Sequence, residues 1–175
     1  ILVKNIFHVD EDFHARYSAL DRTYRYIILN QKHPSTYLLD NVLHFDKKIY
    51  ISKIRSTFKY FKGKKDYSCF RSSGCSAKSA IKHIKSIKIS RNNNLIYIDI
   101  TSNSFLYHMV RNIVGSLLDI GILKYNPESI DTLINSLDRK LCGKMVPAIG
   151  LYLMTASYPK KYNISNNNNF SFFKI

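Results

Sequence analysis

Arg111 stands in the middle of an apolar run. In "NSFLYHMVRNIVGSLLDIG", residues 103–121, the spacing of Phe105, Leu106, Met109, Val110, Ile113, Val114 and Leu117 predicts a helix over most of the segment. A guanidinium keeps its charge, so a buried one needs an anionic partner. Two readings are open for Arg111. It holds an anion inside the protein, or it snorkels to water from the edge of an amphipathic helix.

Other stretches could also do chemistry. "RTYRY" alternates Arg22 and Arg25 with Tyr24 and Tyr26. That alternation suits RNA, because guanidinium groups take phosphates and an aromatic ring stacks on an unpaired base. It equally suits an ordinary strand with two core tyrosines. "FHAR" places Arg16 just before this strand, and "CFRSSGC" sets Arg71 and two serines near Gly74. No second His or acid stands at a metal-ligand spacing, so no metal is expected. Neither a P-loop nor a GxGxxG pattern occurs, so no nucleotide cofactor is expected.

These residues need elements to hold them. Residues 1–9 are short and apolar-rich, which predicts a strand. Residues 22–30 are β-prone, with Tyr24, Tyr26 and Ile28 on one face and Arg25 and Ile27 on the other. Tyr50, Ile54, Phe58 and Phe61 recur at helical spacing from Lys47 to Phe61, and Gly63 ends that helix. Residues 66–79 read as an ordered loop. "AIKHIKSIKISR", "NNN" and "LIYIDITSN" read as a β-hairpin. After the helix of Arg111, Asn126-Pro127-Glu128 supplies an N-cap, a first-turn Pro and an acid. A second helix with Ile130, Leu133, Ile134 and Leu137 on one face follows. "GLYLMTASY", residues 150–158, is the last strand. The sum is α+β: a mainly antiparallel sheet with helices on one face. Residues 1–159 form one domain, and 160–175 form a low-complexity tail.

The chain of 175 residues is large enough for one core. It carries a formal net charge of +15, which favours a polyanionic partner such as nucleic acid. An A/T-rich coding bias would also supply lysine, so the eight arginines tell more than the total. Cys69, Cys75 and Cys142 form no CxxC pair and are expected as free thiols. No apolar run approaches the ~20 residues of a membrane span. No signal peptide is visible, and the first residue is Ile1. The expectation is a soluble cytoplasmic protein, here as part of something longer.

Taken in order, "DFHARYSALDRTYRYIILN", "DYSCFRSSGC", "NSFLYHMVRNIVGSLLDIG" and "GLYL" resemble the tRNA pseudouridine synthase A (TruA) family, from about Ile1 to Pro159. The resemblance implies an incomplete pseudouridine synthase-like fold. It implies isomerisation of uridine to pseudouridine in the tRNA anticodon stem-loop, no cofactor, and a homodimer. By resemblance Arg111 pairs with the family's catalytic aspartate, which lies in a motif resembling GRTDxGVHA. No aspartate of this chain stands in that context, so the chain matches the later part of the family's sequence and is expected to be inactive by itself. Tyr24 matches the active-site tyrosine that lies against the flipped uracil and takes the C5 proton. Leu151 and Leu153 match the strand giving the pocket an apolar wall, and Arg16 and Arg71 match neighbouring or phosphate contacts. Thr23 departs from the family, where a second basic residue is frequent. The alternative is a non-catalytic RNA-binding fragment or relic of such an enzyme.

Overall fold

The computed structural model describes residues 3, 5–38 and 40–164. Its centre is β1 (Asp21–Asn30), whose alternating side chains serve two opposite faces. Tyr26 and Ile28 enter the main core, while Ile27 and Leu29 join a smaller cluster behind the sheet. β1 pairs antiparallel with β5 (Leu95–Ser102) along one edge. Its other edge is shared by β6 (Leu151–Ser157), antiparallel, and β2 (Leu43–Phe45), parallel. β4 (Ile81–Asn92) and β3 (Gly63–Asp66) extend the sheet beyond β5 to six strands. The hairpin of β4 and β5 and the final strand stand where the sequence placed them.

Four helices cover the Tyr26 face: α1 (Ile51–Ser56), α2 (Phe58–Phe61), α3 (Met109–Gly121) and α4 (Ser129–Ser136). Ile54, Phe61, Ile84, Ile98, Ile113 and Leu117 meet in the core with no exposed surface. Each such side chain contributes about 1.5–3 kcal/mol through burial. The fold is therefore the expected α+β arrangement, with helices on one face of a mainly antiparallel sheet.

Four local expectations need correction. Residues 3 and 5–9 form no strand and are exposed, because both edges of β1 are already occupied by β5, β6 and β2. The helix expected from Lys47 to Phe61 starts only at Ile51 and breaks at Thr57. The Thr57 hydroxyl donates to the Ile54 carbonyl at 2.7 Å, a back-bond that disturbs the helix. Tyr50 is consequently exposed at the helix start, and Ile49 is buried in its place. In the third segment, residues 103–108 are not helical; α3 begins only after His108, which has φ 60°. Finally, Asn126 does not cap α4 with its side chain: its carbonyl accepts from both the amide and the hydroxyl of Ser129. That turn delays the helix to Ser129, and Leu137 falls beyond it, half exposed at φ 56°.

At the C-terminal end, Tyr162 is buried against the Phe13 ring, with centroids 5.0 Å apart. The expected tail lies outside the described residues from 165 onward. The three cysteines are free thiols, as expected. Among the described residues no helix is long and apolar enough to cross a membrane.

Candidate active site

A cleft of about 310 Å³ opens where the N-terminal end of α3 meets β1 and β6. Arg16, Tyr24, Arg111 and Leu151, four of the six singled-out residues, line it together. The remaining walls are residues 74–77 and 105–110. Leu153 lies just outside, in an adjoining groove of about 880 Å³ that shares Arg16, Tyr24, Ala77 and Phe105 with the cleft. Arg71 lines neither. Its guanidinium donates to the carbonyls of Cys75 and Ala77, both at 2.9 Å, and so braces the loop forming one wall.

Strand pairing explains the apolar side. Tyr24 stands opposite Leu153 and Tyr26 opposite Leu151, so these four side chains share one sheet face. The register of β6 on β1 shifts between Thr23 and Tyr24, and such irregularities re-aim side chains. The ring of Phe105 meets that of Tyr24 edge-on at 5.2 Å and 88°. The Tyr24 hydroxyl has no hydrogen-bond partner among the described residues.

Arg111 is half-buried rather than fully buried. It sits in the first turn of α3, and its Nε donates to the Val146 carbonyl at 2.7 Å. Among the described residues no carboxylate pairs with it, and its two terminal nitrogens have no partner. A cation in the first turn of a helix is poorly placed, since the helix end is itself positive. Guanidinium and helix end together make a site for an anion. The same positive field is felt nearby: burial first, and then the charge of Arg111, lower the His108 imidazole below its ordinary value.

Arg16 belongs to the loop before β1. That loop is tied down by Tyr158, whose hydroxyl donates to the Ala15 carbonyl at 2.8 Å, and by Arg22, which donates to the carbonyls of Arg16 and Asn103. From the sequence, Phe105 was placed only as an apolar helix position and the 74–77 loop only through Gly74 of "CFRSSGC", while His108 was not singled out. Only their closeness in sequence to Arg111 and Arg71 pointed to them.

The groove adds Arg22, Lys78, Lys82, Tyr17 and Tyr158 around the cleft mouth. This combination of cations and rings suits a single-stranded nucleic acid. Among the described residues no three His, Cys, Asp or Glu side chains are grouped to hold a metal.

Comparisons with known proteins identify the family. The family described as tRNA pseudouridine synthase matches residues 57–159, which include Arg71, Arg111, Leu151 and Leu153. The tRNA pseudouridine synthase A of Buchnera aphidicola from Schizaphis graminum is 44% identical over 164 residues, 94% of this chain and 62% of that protein. That of Acetivibrio thermocellus is 40% identical over 158 residues, covering 90% of this chain and 65% of its own. That of Hydrogenovibrio crunogenus is 39% identical over 154 residues, covering 88% and 59%. The chain thus spans about three fifths of the length of the curated relatives it matches. With the matched region exceeding half of its residues, the chain belongs to the tRNA pseudouridine synthase family.

Proposed function

We propose that the cleft is the uridine site of a tRNA pseudouridine synthase acting on the anticodon stem-loop. The observation that carries this reading is the meeting of Arg111, with two unpartnered terminal nitrogens, and Tyr24, with an unpartnered hydroxyl, in one cleft walled by Leu151. The target base leaves the helical stack to enter it. A carboxylate supplied from outside these residues pairs with Arg111, which holds it ionised and nucleophilic. The carboxylate bonds to C1′ as the bond from C1′ to N1 breaks, uracil turns, and C5 displaces the carboxylate as the bond from C1′ to C5 forms. The proton lost from C5 is balanced by one gained at N1, and Tyr24 takes the C5 proton. Leu151 and Leu153 supply the apolar wall, while Arg16 and the groove lysines meet phosphates. The chain by itself, without the carboxylate, is inactive.

The test is tritium release from tRNA carrying 5-tritiated uridine, using the full-length protein. Arg111→Met should nearly abolish turnover in a folded variant. Removing one partner of such a pair costs roughly 3–5 kcal/mol, more than a hundredfold in rate at about tenfold per 1.4 kcal/mol. Raising the pH should recover part of the activity by driving the carboxyl back to its ionised form. Undiminished release by folded Arg111→Met would return Arg111 to the snorkelling reading.

A further inference from the structure

Arg111 is aimed by one bond, from its Nε to the Val146 carbonyl at 2.7 Å. The guanidinium is therefore placed only as well as that carbonyl is. Val146 belongs to an irregular strap, residues 142–147, yet it is buried. Irregular segments hold a fixed geometry only when neighbours impose it.

The first half of the strap lies against α3. The Gly143 amide donates to the Ser116 hydroxyl at 3.0 Å, and just ahead of the strap Arg139 donates to the Asn112 side-chain carbonyl at 2.9 Å. The approach is so close that a Cβ on Gly115 would lie 2.0 Å from the Lys144 carbonyl oxygen. The second half is held from the sheet. The Tyr26 hydroxyl donates to the Pro147 carbonyl at 2.7 Å. Between the carbonyls of Val146 and Pro147 lie one planar peptide, a φ of −55° locked by the proline ring and a single soft torsion, the Pro147 ψ of 158°. Holding the Pro147 carbonyl thus leaves the Val146 carbonyl beside it one backbone torsion of freedom, where an ordinary residue would leave two.

Tyr26 has no exposed surface and packs in the main core. Packing there requires only a ring, which phenylalanine would supply, so the hydroxyl needs another reason. Burial pushes the Tyr26 phenol up, against a smaller lowering by the charge of Arg111. It therefore stays a protonated donor across the whole working pH range.

We propose that Tyr26 is a positioning residue for the reaction: through Pro147 it fixes the Val146 carbonyl that aims Arg111 into the cleft. β1 then carries both the tyrosine that faces the base and the tyrosine that aims the guanidinium. This rests on the role given to Arg111 above.

The test uses the full-length protein with Tyr26→Phe, in the native background and in Arg111→Lys, which has no guanidinium Nε–H to meet the Val146 carbonyl. In the native background kcat should fall by about 10- to 100-fold, as for a small misplacement of a catalytic group, with KM for tRNA unchanged. In the Arg111→Lys background the same change should cause no further loss. A second readout needs no turnover: solvent exchange of the Arg111 Nε–H, followed by NMR, should be faster in Tyr26→Phe than in the native protein. An unchanged kcat, or an equal loss in both backgrounds, leaves Tyr26 a purely structural residue and overturns the proposal. If Arg111→Lys is fully active, or the native protein does not turn over, the reading of Arg111 has failed instead. Nε exchange then decides, and unchanged exchange overturns the positioning.

Discussion

β1 presents an arginine and a tyrosine environment on each of its faces, and the two differ in how they are satisfied. On the face away from the helices, Arg25 binds Asp99 through two nitrogens at 2.7 and 2.8 Å and lies over the Tyr97 ring at 5.1 Å. Cation, acid and ring saturate one another. On the helix-covered face, Tyr24 and Arg111 reach a shared cleft with donors that have no acceptor among the described residues. The net charge of the chain does not separate these two arginines; their partners do. In the proposed function the closed pair is structural, and the open pair is where a ligand completes the set.

This contrast breaks if substitutions on the two faces behave alike. The largest effect is expected on the open side, where Arg111→Met removes turnover as described. Tyr24→Phe should follow, losing about a hundredfold or more in isomerisation, as is typical when a proton-transfer group is removed. Filter binding should show tRNA affinity retained, because only a hydroxyl is gone. Normal tritium release would take Tyr24 out of proton transfer.

On the closed side, Arg25→Met should leave turnover unchanged and cost about 1 kcal/mol, since the pair is partly exposed and screened. For a domain of this size that is a Tm decrease of about 2–4 °C by calorimetry. A large kcat loss with an unchanged Tm would reverse the roles of the two faces.

The smallest effect sharpens the cleft itself. Burial raises the Cys75 thiol, but the amides of Tyr107 and Ala77 and the charge of Arg71 outweigh it, leaving the thiol below its ordinary value. Burial pushes Cys69 up to about 12 and also raises Cys142. Because the thiolate is the reactive form, Cys75 should be alkylated by iodoacetamide first, at a pH where the other two are inert. Peptide mass spectrometry reads this directly, and preferential labelling of Cys69 would contradict the wall geometry.

What could be read from the sequence follows from how local each signal is. β1, β4 and β5 carry alternation in residue type or burial, so their existence followed from residue types, whereas β6, "LYLMTAS", shows no such period. β2, "LHF", and β3, "GKKD", are too short to show a period, and only pairing with β1 and β4 makes them strands. The apolar count misled at residues 103–108, where Phe105 lines the cleft and Leu106 enters the core from non-helical backbone. In the site, Arg111, Tyr24 and Arg16 were singled out from residue types and Leu151 from the resemblance, and the four line one cleft. Arg71 faces its own loop instead, because two nearby carbonyls take its donors. The strap at 142–147 had no sequence signal, since its partners Ser116 and Tyr26 lie far away along the chain.

The most direct test of the open face is photo-crosslinking of the full-length protein to tRNA substituted with 5-bromouridine, followed by peptide mass spectrometry. The account predicts an adduct on the cleft aromatics, Tyr24 or Phe105, which is lost when unsubstituted tRNA competes. An adduct on Tyr97, across the sheet beside Arg25 and Asp99, with none in the cleft would contradict it.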